Sequence, residues 1–288
     1  MEYVTTRNLD EALQALEQWE GRAKLLAGGT NLIPNMRAKL VSPDVIINLC
    51  EIQDMKEIRE EGGVVRIGAL ATMNEIASSK IIGECCPILA SAARQLGNPL
   101  TRNRATVGGN LADASPAADT APPLLALEAR IHAARSGRKE REIPLDQFFL
   151  GPRETVLGPE EIISHITLAK PKDPSRGSHI KLGLRNAMAI SVASIATMLE
   201  MDGDVCTKAR VALGAVAPRP IRAYGVEKML EGKRIDEDLI GECSQLIKKE
   251  INPISDIRAS AEYRTLVTSV LFRRCIQKSL EGGSHEDL

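Results

Sequence analysis

From Gly97 to Pro123 the chain passes through Gly, Asn, Pro and small side chains with neither a helical nor a strand period. Connections of that length are uncommon inside a compact domain, and they are either functional or disordered. Apolar residues are mixed with the glycines here, which argues for an ordered binding loop. Whatever fold the rest of the chain adopts has to hold this segment in place.

The flanking patterns predict α+β units. Asn8 or Asp10 can cap a helix carrying Leu9, Leu13, Leu16 and Trp19, and Gly21 ends it. A short buried strand over Lys24–Ala27 leads into Gly28-Gly29-Thr30. A helix over about 32–39 and a strand over Val45–Leu49 follow. Thr72-Met73-Asn74-Glu75 has the T-x-x-E form of a capping box. A strand is expected over Val64–Ile67, a helix after Pro87, and strands around 129–133 and 162–168. Pro171 to Gly177 is the best linker. Beyond it the pattern predicts strands over 178–184, 191–201 and 209–215. Asp202-Gly203-Asp204 makes a hairpin of the last two. Helices follow over 224–231, 236–250 and 259–280. Strands followed by helices favour α+β over an alternating doubly wound sheet.

A net charge of -1 excludes a broad basic field for nucleic acid or anionic lipid. Arg135, Arg138, Lys139 and Arg141 are broken by Gly137 and Glu140 and read as a solvated turn. Aromatic residues are 2% of the chain, so a stacking platform is not expected, and a flat ring bound here has to rest on aliphatic side chains and backbone. The N-terminal residues lack a cationic start and an apolar core, and the apolar run Ala187–Leu199 is too short to span a bilayer. A cytoplasmic location is expected. The six cysteines form no C-x-x-C pair and lie far in sequence from the four histidines, so free thiols are expected and no metal site.

Two glycine pairs carry the chemistry: Leu25-Leu26-Ala27-Gly28-Gly29-Thr30-Asn31-Leu32 and Thr106-Val107-Gly108-Gly109-Asn110. Backbone without a Cβ can approach a ligand closely and turn successive N–H groups outward as an anion nest. A helix after Asn31 adds its positive N-terminal end. Two such loops could hold a pyrophosphate without a lysine. Each pair taken alone is more simply a tight turn, and neither matches the Rossmann or P-loop spacing. Asp119 either hydrogen-bonds ribose hydroxyls or caps a helix through Leu124 and Leu127, with Pro122 and Pro123 in its first turn. Lys181 alone looks like a surface lysine.

The order A-G-G-T-N-L, then G-N-P-L-T-R-N-R-A-T-V-G-G-N-L-A-D-A-S-P-A-A-D-T-A-P, resembles the FAD-binding medium subunit of the xanthine dehydrogenase and aerobic carbon monoxide dehydrogenase family of molybdenum hydroxylases. The likeness extends through Phe148–Arg153, Glu160–Ile163 and Lys181–Ser191 and covers most of the chain. It implies a two-part FAD-binding domain of the vanillyl-alcohol oxidase type over 1–172, with parts at about 1–54 and 55–172. A smaller C-terminal α+β domain is implied over 173–288. It also implies that Leu25, Leu26, Ala27, Gly28, Gly29, Thr30, Asn31 and Leu32, with Thr106, Val107, Gly108, Gly109 and Asn110, wrap the FAD pyrophosphate and nearby flavin. Asp119 matches a contact to the sugar and diphosphate region, Ile163 a backbone contact, and Lys181 a contact near the cofactor.

The resemblance further implies a large partner subunit with the molybdenum cofactor, a small partner subunit with two [2Fe–2S] clusters, and an external electron acceptor. It gives this chain the electron outlet and no catalytic acid, base or metal. With no histidine in a cofactor loop, FAD is expected to be non-covalent. Met188-Ala189 stands where some relatives carry an acid, so acidic tuning of the flavin edge is not expected. A self-contained flavin reductase or oxidase on the same scaffold, and a non-catalytic FAD-carrying assembly subunit, are the rival readings.

Overall fold

The computed structural model describes residues 1–173 and 176–282. Residues 174 and 175 of the expected linker, and His285, lie outside them. The first unit is a three-stranded parallel sheet in which Val45–Asn48 lies between Glu2–Thr5 and Ala23–Leu26. All four residues of the central strand are buried, as a strand covered on both faces requires. The helix Leu9–Gln18 starts where expected, with Asn8 Oδ1 accepting from Glu11 N at 2.9 Å. It buries Ala12, Leu13 and Leu16.

The second unit is an antiparallel sheet of five strands in the order Ile58–Glu61, Val64–Gly68, Ile162–Ala169, Arg130–Ala134, Arg141–Pro144. Ile67, Ile166, Ile131 and Ile143 are cross-strand partners on its inner face, all buried. Burying each is worth about 1.5–3 kcal/mol, and a one-residue slip would turn the whole row to solvent, so this row fixes the register. In these two sheets three strands were not expected from the pattern: Glu2–Thr5, Ile58–Glu61 and Arg141–Pro144. All three are sheet edges with at most one buried residue, so they carry no apolar alternation to read.

The Thr72 capping box forms with both bonds present and opens the helix Met73–Ser78; Lys80–Cys85 and Pro87–Gln95 follow. The segment 97–123 is ordered, but it is not one long loop. It folds as three short helices, Pro99–Arg102, Val107–Ala112 and Ala121–Ala126. Each is too short to show a period in the sequence.

The third unit is an antiparallel sheet of Gly177–Leu182, Ala193–Asp202, Val205–Gly214 and Ile221–Arg222, with Lys233–Arg234 added on Val205–Gly214. The predicted hairpin is present: Asp202 pairs with Val205, and Gly203 takes φ +56° in the turn. The helices Tyr224–Leu230, Glu237–Glu250 and Ala261–Glu281 build a second apolar core with this sheet, around Ile195, Val211, Ile247, Phe272 and Ile276. Ala196, Met198 and Ala212 instead join the core of the first two units, where Pro87–Gln95 and Ala121–Ala126 pack against this sheet. That junction brings residues distant in sequence to one place.

Candidate functional site

Leu26 ends a parallel strand, and the chain turns through Gly28 and Gly29 into the helix Leu32–Arg37. Gly29 takes φ +73°. Asn31 is the N-cap position but makes no side-chain cap bond. Among the described residues, no group accepts a hydrogen bond from the backbone N–H of Gly28, Gly29, Thr30 or Asn31. Thr30 and Asn31 are exposed, and Leu25 to Gly29 and Leu32 are half-buried. Four unsatisfied donors in sequence at an open helix N-terminus form an anion nest.

The second glycine pair is built differently from the expectation. Val107 N donates to Ala71 O (3.0 Å), Gly108 N to Ala69 O (2.8 Å), Gly109 N to Thr106 Oγ1 (3.1 Å) and Asn110 N to Thr106 O (2.9 Å). Its N–H groups are engaged within the protein, so this loop is not a second nest in this structure. It is the capped start of the helix Val107–Ala112, with Gly109 exposed at its tip.

The glycines at Gly28 and Gly108 also serve protein packing. A Cβ on Gly28 would stand 1.8 Å from Arg104 O, and one on Gly108 2.6 Å from the Ala69 Cβ. The first loop therefore lies directly on the residues just before the second. Ile163 belongs to the same assembly: it is buried at a bulge in Ile162–Ala169, and the adjacent Ser164 O accepts from Ala69 N at 3.0 Å.

Asp119 does not cap a helix. Thr120 takes the N-cap position of Ala121–Ala126. Asp119 Oδ2 accepts from Lys181 Nζ at 2.6 Å, and Oδ1 from Ser191 Oγ at 2.6 Å. Lys181 Nζ also donates to Gln95 O at 3.1 Å. Lys181 is not a surface lysine: its side chain is 6% exposed, and that of Asp119 is 8%. Burial pushes the Asp119 carboxyl up from its ordinary value, against the Lys181 ammonium and the Ser191 hydroxyl, which favour the ionised form. The neighbouring Thr120 Oγ1 donates to Asn110 Oδ1 at 2.7 Å, which ties this pair to the second glycine loop.

An exposed apolar surface beside Gly97 and Asn98 comes from a segment with no aromatic residue. Leu184, Met188 and Ile190 are exposed, as is Leu100. Met188, at φ +54°, donates from its N–H to Gly97 O at 3.3 Å, and Asn98 Nδ2 approaches its sulfur at 3.5 Å. No acid stands at Met188-Ala189.

The four unengaged N–H groups at 28–31 are donors of the kind a diphosphate accepts from. Residues 1–171 match the family described as "FAD binding domain in molybdopterin dehydrogenase". Residues 178–279 match the "CO dehydrogenase flavoprotein C-terminal domain". The chain belongs to the FAD-binding medium subunits of the molybdenum hydroxylases. Among the members of this family, the carbon monoxide dehydrogenase medium chain of Hydrogenophaga pseudoflava is 31% identical over 276 residues, which are 96% of this chain and 95% of that one. The glyceraldehyde dehydrogenase medium chain of Sulfolobus acidocaldarius is 32% identical over 276 residues, 96% and 97% of the two chains. The solved carbon monoxide dehydrogenase of Hydrogenophaga pseudoflava that lacks the Mo-pyranopterin moiety superposes with a TM-score of 0.94 at 30% identity, covering 99% of this chain and 98% of that one. The two-part FAD-binding domain with a C-terminal α+β domain is therefore the fold of this medium subunit, which is an oxidoreductase component.

Sequence reasoning missed the work of Ser191, Thr120 and the Arg104 carbonyl. Ser191 had a signal, a hydroxyl inside the apolar run Ala187–Leu199. The Arg104 carbonyl had none, because a backbone contact leaves no mark on residue type. An open cleft of about 480 Å³ between the helix Leu9–Gln18 and the turn Arg135–Glu140 holds none of the predicted residues. Arg135 and Arg141 of the basic run pair with Glu160 and Glu161.

Proposed function

We propose that this chain binds FAD non-covalently at residues 25–32 and 106–110 and is the electron outlet of a three-subunit molybdenum hydroxylase in the cytoplasm. The supporting observation is the nest of four unengaged N–H groups at 28–31, seated on Arg104-Ala105 next to the second glycine loop. When bound, FAD supplies the redox chemistry, taking up electrons and releasing them to an acceptor. The residues of the chain hold and orient it. The nest offers donors to the diphosphate, and Leu25, Leu32 and the 184–190 segment offer aliphatic cover to the ring. Asp119 and Lys181 brace the second loop from behind, acting as positioning residues. Ile163 adds a backbone group beside Ala69. We assign residues 1–172 to the FAD-binding domain and 173–288 to the C-terminal domain.

The partners on this reading are a small subunit with [2Fe–2S] clusters and a large subunit with the molybdenum cofactor. No helix among the described residues is long and apolar enough to cross a membrane. Purification of the complex from its native source tests the reading. A bound flavin spectrum, two partner chains and flavin reduction that requires them are expected. A chain that takes up no FAD even with its partners present refutes it. Substrate-dependent flavin reduction by the isolated chain would replace it with a self-contained enzyme.

A further inference from the structure

The outer face of the five-stranded sheet is polar, and two histidines stand side by side near its middle. His165 and His132 are cross-strand partners, so both rings project on the same side. Their centroids are 4.0 Å apart and their planes 9° from parallel. His165 Nδ1 is 2.8 Å from Ser164 Oγ, and His132 Nε2 is 2.8 Å from Thr167 Oγ1. Each ring has one hydroxyl partner in the stack and a second nitrogen left over, Nε2 of His165 and Nδ1 of His132. The turn that joins Arg130–Ala134 to Arg141–Pro144 swings Glu140 over the pair. One nitrogen from each ring and a Glu140 carboxylate oxygen all lie within 4.8 Å of one another.

We propose that His132, His165 and Glu140 form a binding site for a divalent transition-metal cation of the zinc class. Two imidazoles and a carboxylate suit zinc, cobalt, nickel or copper, whereas magnesium and calcium take oxygen ligands almost alone. Ligands about 2.0–2.1 Å from a tetrahedral ion stand roughly 3.3 Å apart. The stacked planes are nearly parallel and their in-plane lone pairs do not converge, so one ring has to turn about its Cβ–Cγ bond and the exposed Glu140 has to draw in, a movement a surface turn with Gly137 at φ +65° permits. Glu142, 3.8 Å from His132 Nε2, adds negative charge. Arg130 on the same face is taken up by Glu142 at 2.5 Å, while Arg66, opposite Thr167, opposes a cation and limits the affinity. With three protein ligands, the fourth position is left to water. The bound ion would pin the 135–140 turn to the sheet.

The experiment is a zinc titration of the FAD-loaded full chain, freed of metal by chelation, in competition with a chromophoric chelator. Cobalt is titrated in parallel for its visible spectrum. One equivalent bound is expected. Replacing both histidines (His132→Asn with His165→Asn) should weaken binding by more than the tenfold that loss of an outer-shell partner typically costs. Glu140→Gln, a change on an exposed turn that leaves the sheet intact, should weaken it in the same direction. A tetrahedral cobalt spectrum without a thiolate charge-transfer band is expected. Absence of stoichiometric binding, binding unchanged in Glu140→Gln, or a thiolate band that assigns the ion to a cysteine overturns the proposal. If the double histidine variant fails to fold, Glu140→Gln and the cobalt spectrum decide it.

Discussion

Replacing Gly28 with alanine tests whether the two glycine loops form one unit. The added Cβ would lie 1.8 Å from Arg104 O and 2.5 Å from its carbonyl carbon, where ordinary contacts begin at 3.4 Å. Both neighbours are backbone, so no side chain can swing away, and the loops must part by about 1.6 Å. Overpacking of this kind costs about 1–3 kcal/mol, and a backbone clash belongs at the upper end. A loss of about 3 kcal/mol lowers the melting temperature by roughly 6–12 °C in a chain of this size. The same displacement carries the N–H groups of 28–31 away from any diphosphate. A hydrogen bond to a charged group is worth about 1.5–3 kcal/mol, so losing one lowers FAD affinity roughly tenfold to hundredfold. Thermal melts and calorimetric titration of flavin-free protein with FAD read both effects. Gly83→Ala is the control: it lies inside the helix Lys80–Cys85, its Cβ meets nothing within 4 Å, and it should be neutral or stabilising by about 0.5–1 kcal/mol. A Gly28→Ala protein that melts and binds FAD like the parent would refute both the loop contact and its role.

Asp119→Asn leaves the Lys181 ammonium buried without its counter-charge and should cost about 3–5 kcal/mol. Combining Asp119→Leu with Lys181→Met should recover part of that loss, and additive losses in a urea-denaturation double-mutant cycle would mean the two side chains are not coupled. Thr120→Val removes the 2.7 Å bond to Asn110 Oδ1 and should weaken FAD binding by about tenfold or less, read by flavin fluorescence. His179 is buried with neither ring nitrogen partnered among the described residues, and burial pushes its pKa down to about 3. Unfolding frees it to protonate near 6.5, so stability is full above about pH 6.5 and falls as pH drops from there toward 3. His165, held at about 3, acts in the same direction. His179→Leu should therefore reduce the loss of urea midpoint between about pH 7.5 and 5, and an unchanged loss would rule His179 out as its source.

The elements that could be read from sequence are those whose burial is periodic or whose caps are side chains. Leu13 and Leu16 gave the first helix, Thr72 and Glu75 the capping box, and Asp202-Gly203-Asp204 the hairpin. Edge strands such as Ile58–Glu61 were not legible because they bury almost nothing. The glycine pairs showed that two loops were special but not why they differ. Both contain Gly-Gly, yet Thr106 closes its own loop by accepting from Gly109 N, while Asn31 leaves its loop open. Local sequence could not separate a cap made from a cap not made. Asp119 and Lys181 lay beyond local reading for a related reason. Their pairing is set by the packing of Ala121–Ala126 and Pro87–Gln95 on the third sheet, and a lysine destined for burial has the same letter as one in water.

That packing links the C-terminal sheet to the cofactor loops. Lys181 leaves Gly177–Leu182 and bonds Asp119 and the Gln95 carbonyl, and Ser191, which precedes the next strand, bonds the other oxygen of Asp119. Thr120, one residue on, holds Asn110. Any shift of the third sheet against the second unit is therefore felt at the second glycine loop through three short polar contacts. A buried ion pair is a weak source of stability, because desolvation cancels most of its Coulomb energy, but it tolerates few geometries. The arrangement around Asp119 is better understood as a device that fixes the position of one loop relative to the other than as one that holds the two cores together. The cores have their own apolar contacts for that, through Ala196, Met198 and Ala212.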